Sequence, residues 1–230
     1  GGHGRVGRRR AYNGRLGYSG FFLSFEGVDG CGKTTQLERL AGRLRASGRD
    51  PVLAQEPGGT RVGREIRRLL LDAHSADLRP IPELLLYFAS RAQNIAEVIR
   101  PALEAGRLVV ADRFTDATVA YQGYGRELGV ETVRAIEAVA CDGLKPDLTL
   151  WLDLDPELSV ARALARRPSA GEGDESRMER ETFDFHRRVR RGYEELWRAE
   201  PERIRRVDAS GTVEQVERAI EAALPPGRFV

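Results

Sequence analysis

The chain is short of cysteine. Its 230 residues include only Cys31 and Cys141, with no C-x-x-C pair and no Cys/His cluster. Two isolated cysteines do not make the disulfide framework of a secreted domain, and they lack the spacing of a zinc site. We therefore predict that the protein works in a reducing cytoplasm.

Long apolar runs are also missing. No run approaches the ~18 residues that a membrane-spanning helix needs, and the start of the chain has no apolar signal-peptide region. The net charge of +2 arises in residues 1–20, which hold five arginines and no acid and leave residues 21–230 with a net charge of −3. We predict a flexible basic tail over 1–20 and one domain over 21–230, with neither a nucleic acid nor a membrane as partner.

Lysine is almost absent, since only Lys33 and Lys145 occur among the 37 basic residues. Lys33 lies in the segment Gly27–Thr34 (GVDGCGKT), which fits the phosphate-loop pattern G-x-x-x-x-G-K-[ST]. A basic residue taken at random from this chain would be lysine about one time in 18. Chance is therefore a poor explanation for a lysine at this position.

The segments around the loop fit the same interpretation. Phe21–Phe25 have the length and composition of a buried strand, and Leu37, Leu40 and Leu44 follow at helical spacing. Glycines allow the loop to turn its N–H groups toward phosphate oxygens, and the helix N-terminus adds the positive end of its dipole. Lys33 would reach the outer phosphates of ATP, and the Thr34 hydroxyl would hold Mg²⁺. The predicted ATP-binding residues of this segment are Gly27, Val28, Asp29, Gly30, Cys31, Gly32, Lys33, Thr34 and Thr35.

The rest of the chain alternates predicted strands with predicted helices, which favours a parallel sheet covered by helices on both faces. Further strands are predicted over 52–54, 107–112, 148–154 and 204–207. Further helices are predicted over 66–71, 81–103, 130–140, 156–166, 178–199 and 213–224. Asp112 ends the third strand and resembles the strand-end acid of phosphate-loop proteins, which approaches Mg²⁺ and the reacting phosphate.

Four further segments are similar to thymidylate kinases, the family that phosphorylates dTMP. They are Phe25-Glu26-Gly27, Glu56-Pro57-Gly58-Gly59-Thr60, Asp112-Arg113-Phe114 with Ala120-Tyr121-Gln122, and Pro146-Asp147-Leu148-Thr149. Their order and spacing match over roughly residues 21–224. The resemblance implies the three-layer α/β fold of the P-loop nucleoside monophosphate kinases, with about five parallel strands, helices on both faces and a lid over about residues 162–178.

The resemblance also implies where the acceptor dTMP binds. Asp29 resembles an acid near the acceptor phosphate, and Arg113 would hold that phosphate, as a guanidinium can do with two hydrogen bonds. Tyr121 would stack under the deoxyribose, and Glu179 resembles an acid near the sugar. Glu56, the first residue of the Glu-Pro-Gly-Gly-Thr motif, would also belong to the part of the site that binds dTMP. On the base, Tyr87 would stack on thymine, Arg91 would bind a carbonyl oxygen, and Thr118 and Gln122 would read the N3 edge.

The family has two ways to supply a catalytic arginine, in the glycine loop or in the lid. The loop here has no arginine, so the lid must provide it, and the candidates are Arg162, Arg166 and Arg167, with Arg166 as the catalytic one and Arg162 and Arg166 as ATP contacts. Arg177 also flanks the lid segment. Three departures from the family pattern are Ala117 for serine, Ser176 for aspartate and Tyr87 for phenylalanine.

The leading functional interpretation is an Mg²⁺-dependent dTMP kinase that uses ATP. The alternatives are another P-loop nucleotide or deoxynucleoside kinase, or a nucleotide-binding protein without catalysis. The guanine signature N-K-x-D of GTPases is absent. The helix predicted over 81–103 is apolar on more than one side, which together with the family resemblance indicates a homodimer.

The lid assignment gives the first testable prediction. Arg166→Ala should lower kcat on the order of 10³-fold or more, because an arginine that acts in the transition state neutralises charge on the transferring phosphoryl group. The KM for dTMP should stay within a few-fold. Steady-state kinetics of alanine variants at Arg162, Arg166 and Arg167, singly and together, provide the measurement. A kcat within about threefold of the parent in all of them would show that no lid arginine acts in this way.

Overall fold

A five-stranded parallel sheet forms the centre of the computed structural model, which describes residues 18–165, 177–178, 181–227 and 229. The strands are β1 (Phe21–Glu26), β2 (Val52–Gln55), β3 (Leu108–Asp112), β4 (Leu148–Asp153) and β5 (Ile204–Asp208), in the order β2-β3-β1-β4-β5. All neighbouring strands run parallel. The predicted α/β architecture of about five parallel strands is confirmed.

Helices connect the strands, as parallel pairing requires. They are α1 (Lys33–Ala46), α2 (Arg61–Leu71), α3 (Pro80–Asn94), α4 (Arg100–Glu104), α5 (Thr115–Thr118), α6 (Val130–Cys141), α7 (Pro156–Ala165), α8 (Phe183–Ala199) and α9 (Val213–Ala223). A π-helical segment, Ile95–Ile99, joins α3 to α4, so the chain is helical without a break over the predicted range 81–103. Among the described helices, none combines the length and the apolar content needed to cross a bilayer.

The burial of the central strands follows from their position. Every residue of β4 is buried, as are five of the six residues of β1. Because successive side chains of a strand point to opposite faces, this pattern means that both faces of the sheet are covered. Phe22 and Phe25 of β1 are each at most 1% exposed and lie in the main core.

The strand register brings three loops together at one edge of the sheet. Phe25 of β1 and Gln55 of β2 both pair with Asp112 of β3. The residues that follow these strands therefore leave the sheet side by side. This edge is the carboxyl end of the strands, where open α/β sheets bind their ligands.

Three helical segments differ from the prediction by several residues. The helix predicted over 66–71 begins at Arg61, because the Thr60 side chain accepts a hydrogen bond from the Gly63 N–H at 2.9 Å and caps it. The helix predicted to begin at Met178 begins at Phe183, because the Thr182 side chain accepts a hydrogen bond from the Phe185 N–H at 3.3 Å and caps it. The sequence did not predict the helical segment made of α5 and the π-helical Val119–Gly125. Its glycine-containing sequence gives a weak helical signal, and contact with α8 stabilises it instead.

Two glycines allow α8 to approach that helical segment. A Cβ atom on Gly125 would lie 2.7 Å from the Phe185 ring, and one on Gly192 would lie 2.9 Å from the Ala120 Cα atom. Any larger residue would separate the two helices. The close contact places Tyr121 and Tyr193, one from each helix, with ring centroids 6.5 Å apart.

Candidate active site

The glycine loop has the geometry of an anion-binding turn. Gly27, Gly30 and Gly32 have φ angles of 140°, 82° and 88°, which residues with a Cβ atom rarely adopt. A Cβ atom on Gly27 would also lie 2.5 Å from the Leu152 carbonyl oxygen. The glycines are thus required both by the backbone conformation and by the packing against β4.

The N-terminus of α1 offers free N–H groups to an anion. Gly32 is the N-cap residue and provides no side-chain cap, and the first turn contains no acid. The Thr34 and Thr35 side chains are exposed there. Lys33 is 7% exposed, and its Nζ donates to the carbonyl oxygens of Gly27 at 3.2 Å and Val28 at 3.3 Å. The positive end of this 14-residue helix and the ammonium group therefore face the same loop.

Arg113 lies directly after β3 with a φ of 71°, an uncommon value for a residue with a side chain. Its N–H donates to the Phe25 carbonyl oxygen at 2.9 Å. Its Nη1 donates to the Gly27 carbonyl oxygen at 2.8 Å and to the Tyr193 hydroxyl at 3.3 Å. Contacts from the backbone and from the side chain together fix where the guanidinium lies.

Asp29 is the ionic partner of Arg113. Nη2 of Arg113 is 2.6 Å from Oδ1 of Asp29, and the Tyr121 hydroxyl donates to Oδ2 at 3.2 Å. Burial would raise the pKa of Asp29, but the charges of Arg113 and Lys33 outweigh it and hold that pKa below its ordinary value. The site therefore contains an ionised acid between two cations.

Glu26 lies behind Arg113 and is fully buried. Its carboxylate accepts hydrogen bonds from the Phe114 N–H at 2.7 Å, the Ser24 hydroxyl at 3.1 Å and the Tyr193 hydroxyl at 3.0 Å. Burial, and then the nearby Asp116 carboxylate, raise the pKa of Glu26 to about 7, although the Arg113 charge acts against them. Glu26 thus supports Arg113 through the next peptide group and through Tyr193.

Most of the predicted site residues line one cavity of about 290 Å³. The predicted residues in its wall are Asp29, Lys33, Thr34, Glu56, Tyr87, Arg91, Asp112, Arg113, Thr118, Tyr121 and Gln122. They come from the phosphate loop and α1, the segment after β2, α3, and the end of β3 with the helical segment that follows it. The cavity therefore begins at the phosphate loop and extends between α3 and the helical segment 115–125.

Arg91 and Glu56 form a buried ion pair in the wall of the cavity, and each side chain is 2% exposed. Arg91 also donates to the Thr118 hydroxyl at 2.8 Å and to the Phe114 carbonyl oxygen at 3.1 Å. Burial raises the pKa of Glu56 despite the adjacent guanidinium. Of the two neighbouring aromatic residues of α3, Phe88 is 2% exposed in the core and Tyr87 lines the cavity.

Several wall residues were not predicted from the sequence. Arg67 of α2 adds a further cation, and its Nη1 donates to the Pro57 carbonyl oxygen at 3.0 Å. Its position two residues before the apolar run Leu69–Leu71 gave no signal of a site. Met178, the last residue of the predicted lid range, also lines the cavity.

The arginines predicted for the lid, and Glu179 after it, lie apart from the cavity or outside the described residues. Arg162 donates to the carbonyl oxygens of Ala209 at 3.0 Å and Ser210 at 3.1 Å, in the loop after β5. Arg166, Arg167 and Glu179 lie outside the part of the chain that the structure describes. Arg177 is 7% exposed and donates to the Leu70 and Ser75 carbonyl oxygens, so it joins the lid segment to α2.

Comparison with known proteins agrees with this geometry. A family model described as "Thymidylate kinase" matches residues 25–220. The thymidylate kinase of Desulfovibrio desulfuricans is 51% identical over 208 residues, covering 88% of this chain and 96% of that protein. Those of Pelobacter propionicus and of a Synechococcus strain are 46% and 47% identical, covering 91% and 89% of this chain and 96% and 94% of those proteins.

The raised pKa of Glu26 predicts a pH dependence of stability. Because that pKa is about 7 in the folded protein against 4.5 ordinarily, the stability that Glu26 adds is complete below about pH 4.5 and is lost as the pH rises through about 7. Glu26→Gln cannot ionise. The free energy of unfolding of the parent, measured relative to this variant by urea titration, should therefore fall between about pH 4.5 and about pH 7 and stay level above that range.

An exposed glutamate of α4 supplies the control for this comparison. The difference between the parent and Glu104→Gln should show no such fall over the same range. A difference between the parent and Glu26→Gln that stays constant with pH would contradict the shift.

Proposed function

The chain belongs to the thymidylate kinase family and phosphorylates dTMP to dTDP with ATP as the donor. From this premise we propose which residues bind ATP, Mg²⁺ and dTMP and which act in the phosphoryl transfer. The observation that supports the proposal is one continuous cavity that runs from the phosphate loop to Arg91 and Gln122. It has cations at one end and a buried polar wall at the other. A nucleoside monophosphate is complementary to this arrangement, because it has an anionic phosphate at one end and a polar base at the other.

The glycine loop and α1 bind the triphosphate of ATP in this proposal. Free N–H groups at the helix N-terminus and the Lys33 ammonium face the loop, so they can surround the β- and γ-phosphates. Arg162 lies beside the loop after β5, and we assign it to the nucleotide end of the donor.

Thr34 and Asp112 fit a magnesium ion. Both supply oxygen ligands, which Mg²⁺ prefers, and both line the cavity. The described residues contain no cluster of three or more His, Cys, Asp or Glu side chains that could hold a metal, so most ligands of the ion would be phosphate oxygens and water. Bound there, Mg²⁺ supplies positive charge to the phosphate oxygens.

Arg113 binds the 5′-phosphate of dTMP in this proposal. Gly27 and Tyr193 hold the guanidinium where the cavity meets the phosphate loop, so it requires little reorganisation when the acceptor arrives. Asp29 keeps the guanidinium paired until then, and Arg67 adds a second cation nearby. Positioning and neutralisation of charge, rather than acid–base chemistry, would then account for most of the catalysis.

The wall formed by α3 and the segment 115–125 binds the nucleoside. Tyr87 and Tyr121 offer aromatic faces, and Arg91 offers donors for a base carbonyl. Arg91 is held between the rings of Phe88 and Phe114, 5.1 and 5.2 Å from their centroids. A rigid donor at this place favours a base with a carbonyl oxygen over one with an amino group.

A substrate panel tests this assignment. Coupled ADP release should be observed with dTMP, much less with dCMP, and not with thymidine, because Arg113 and Arg67 require an acceptor that already has a phosphate. Arg113→Ala should raise the KM for dTMP and lower kcat/KM by about 100-fold or more, and EDTA should abolish turnover.

The control is Arg61→Ala, which removes an exposed arginine at the start of α2 and should behave like the parent. Phosphorylation of thymidine would instead indicate a nucleoside kinase. Nucleotide binding without turnover would indicate a protein that does not catalyse this reaction.

We also propose a homodimer formed through α3 and the two helices that contact it, α2 and α6. Ile81 and Leu85 of α3 are 44% and 49% exposed, Leu69 of α2 is 48% exposed and Val139 of α6 is 85% exposed. Ile81 and Leu85 are four residues apart and so lie on the same face of their helix. Apolar residues gathered on adjacent helices are typical of a subunit interface.

Light scattering tests the dimer. The parent should have twice the mass of the 25.6 kDa chain, and Leu85→Glu should be a monomer because a charge would be buried in the interface. Leu158→Glu is the matched control, since Leu158 is 39% exposed on α7, away from these helices. A parent mass near one chain at every concentration would contradict the dimer.

The remaining assignments concern the ends of the domain and its location. We propose that residues 21–230 form the catalytic domain, that the lid spans about residues 162–178, and that the enzyme is cytoplasmic and binds no nucleic acid. The net charge of −3 outside residues 1–20 supports the last point. Full activity of a chain starting at Tyr18, and recovery of the protein in the cytosolic fraction, are the checks.

A further inference from the structure

Glu83 is a buried acid at the base end of the cavity that the mechanism above does not use. It lies in the first turn of α3, four residues before Tyr87, and it is 0% exposed. Its Oε1 accepts from Nε2 of Gln122 at 2.9 Å and from Nε of Arg126 at 3.1 Å. Its Oε2 accepts from Nη2 of Arg126 at 3.1 Å and Nη2 of Arg177 at 2.6 Å.

These partners keep Glu83 ionised and fixed in place. Burial would raise its pKa, but the hydrogen bonds and charge of Arg126, with further bonds from Gln122 and Arg177, hold that pKa below its ordinary value. Arg177 is itself held by the Leu70 and Ser75 carbonyl oxygens. The carboxylate therefore cannot turn away from Gln122 without breaking contacts to two arginines.

An ionised carboxylate only accepts hydrogen bonds, and this decides how the Gln122 amide is oriented. The NH₂ group must face Glu83, because the amide oxygen would meet a carboxylate oxygen there with no proton between them. Gln122 is 1% exposed and lines the cavity. Its amide oxygen, an acceptor, is consequently the end that is free for a ligand.

We propose that Glu83 is the positioning residue that sets the base specificity of the enzyme, by holding Gln122 with its oxygen toward the ring N3 of the acceptor base. Thymine and uracil carry an N–H at N3 and can donate to that oxygen. Cytosine has an unprotonated N3, which would face the oxygen as a second acceptor. The inference rests on the proposed function, because it requires a pyrimidine nucleotide in this cavity.

Glu83→Gln tests the proposal with almost no change in shape. A glutamine at this position can accept from the Gln122 amide or donate to it, so both orientations of Gln122 become possible. The ratio of kcat/KM for dTMP to that for dCMP should then fall by about tenfold or more. The ratio for dTMP to dUMP should not change, since both bases carry the N3 proton.

Binding without turnover provides a second readout. The rise in melting temperature that dTMP gives should exceed that given by dCMP in the parent, and the two should approach each other in Glu83→Gln. Glu137→Gln is the matched control, because Glu137 is a 7% exposed glutamate of α6 paired with Arg134 at 2.5 Å. It should leave both ratios at the parent values.

Two further variants keep the test decisive if removal of the charge prevents folding. Glu83→Asp keeps the charge for both arginines but withdraws the carboxylate from Gln122, and Gln122→Leu removes the amide itself. Each should lower the dTMP to dCMP ratio in the same direction. A ratio within about threefold of the parent in the variants that fold overturns the proposal, whereas a parent that does not phosphorylate dTMP overturns the proposed function instead.

Discussion

The site depends on one buried carboxylate at the end of the central strand. Glu26 accepts the Phe114 N–H, so it holds the peptide that follows Arg113, and it accepts the Tyr193 hydroxyl, which in turn contacts the Arg113 guanidinium. A residue with φ of 71° is kept only where its surroundings determine it. Glu26 supplies those surroundings, and this places a cation between the phosphate loop and the acceptor cavity.

The same arrangement occurs twice more around the cavity. Glu56 holds Arg91 from within the wall and Glu83 holds Gln122 from behind it, and both carboxylates are buried. Each carboxylate can only accept hydrogen bonds while ionised, so each fixes a donor or the orientation of an amide. The cavity thus presents groups whose orientation is set before a ligand binds, which reduces the cost of binding and favours one set of ligand donors and acceptors.

Sequence patterns predicted the sheet, the glycine loop and most of the cavity wall, because these follow from strand composition, a fixed motif and the carboxyl ends of parallel strands. They did not predict the helical segment 115–125, whose stability depends on the contact of Gly125 and Gly192 with residues distant in sequence. They also gave no role to Glu83, since an acid in the first turn of a helix is ordinary until its partners are known. The sequence places Arg177 beside the lid, and only its tertiary contacts reveal that it supports α2 and Glu83.

The central claim is that Arg113 is already in position for the acceptor phosphate, and a crystal structure of the dTMP complex tests it most directly. The account predicts that Arg113 keeps its left-handed backbone conformation and its contacts to Glu26 through Phe114 and Tyr193, with its guanidinium on the 5′-phosphate. A complex in which the turn after β3 rearranges, or in which the phosphate binds without contact to Arg113, would contradict it.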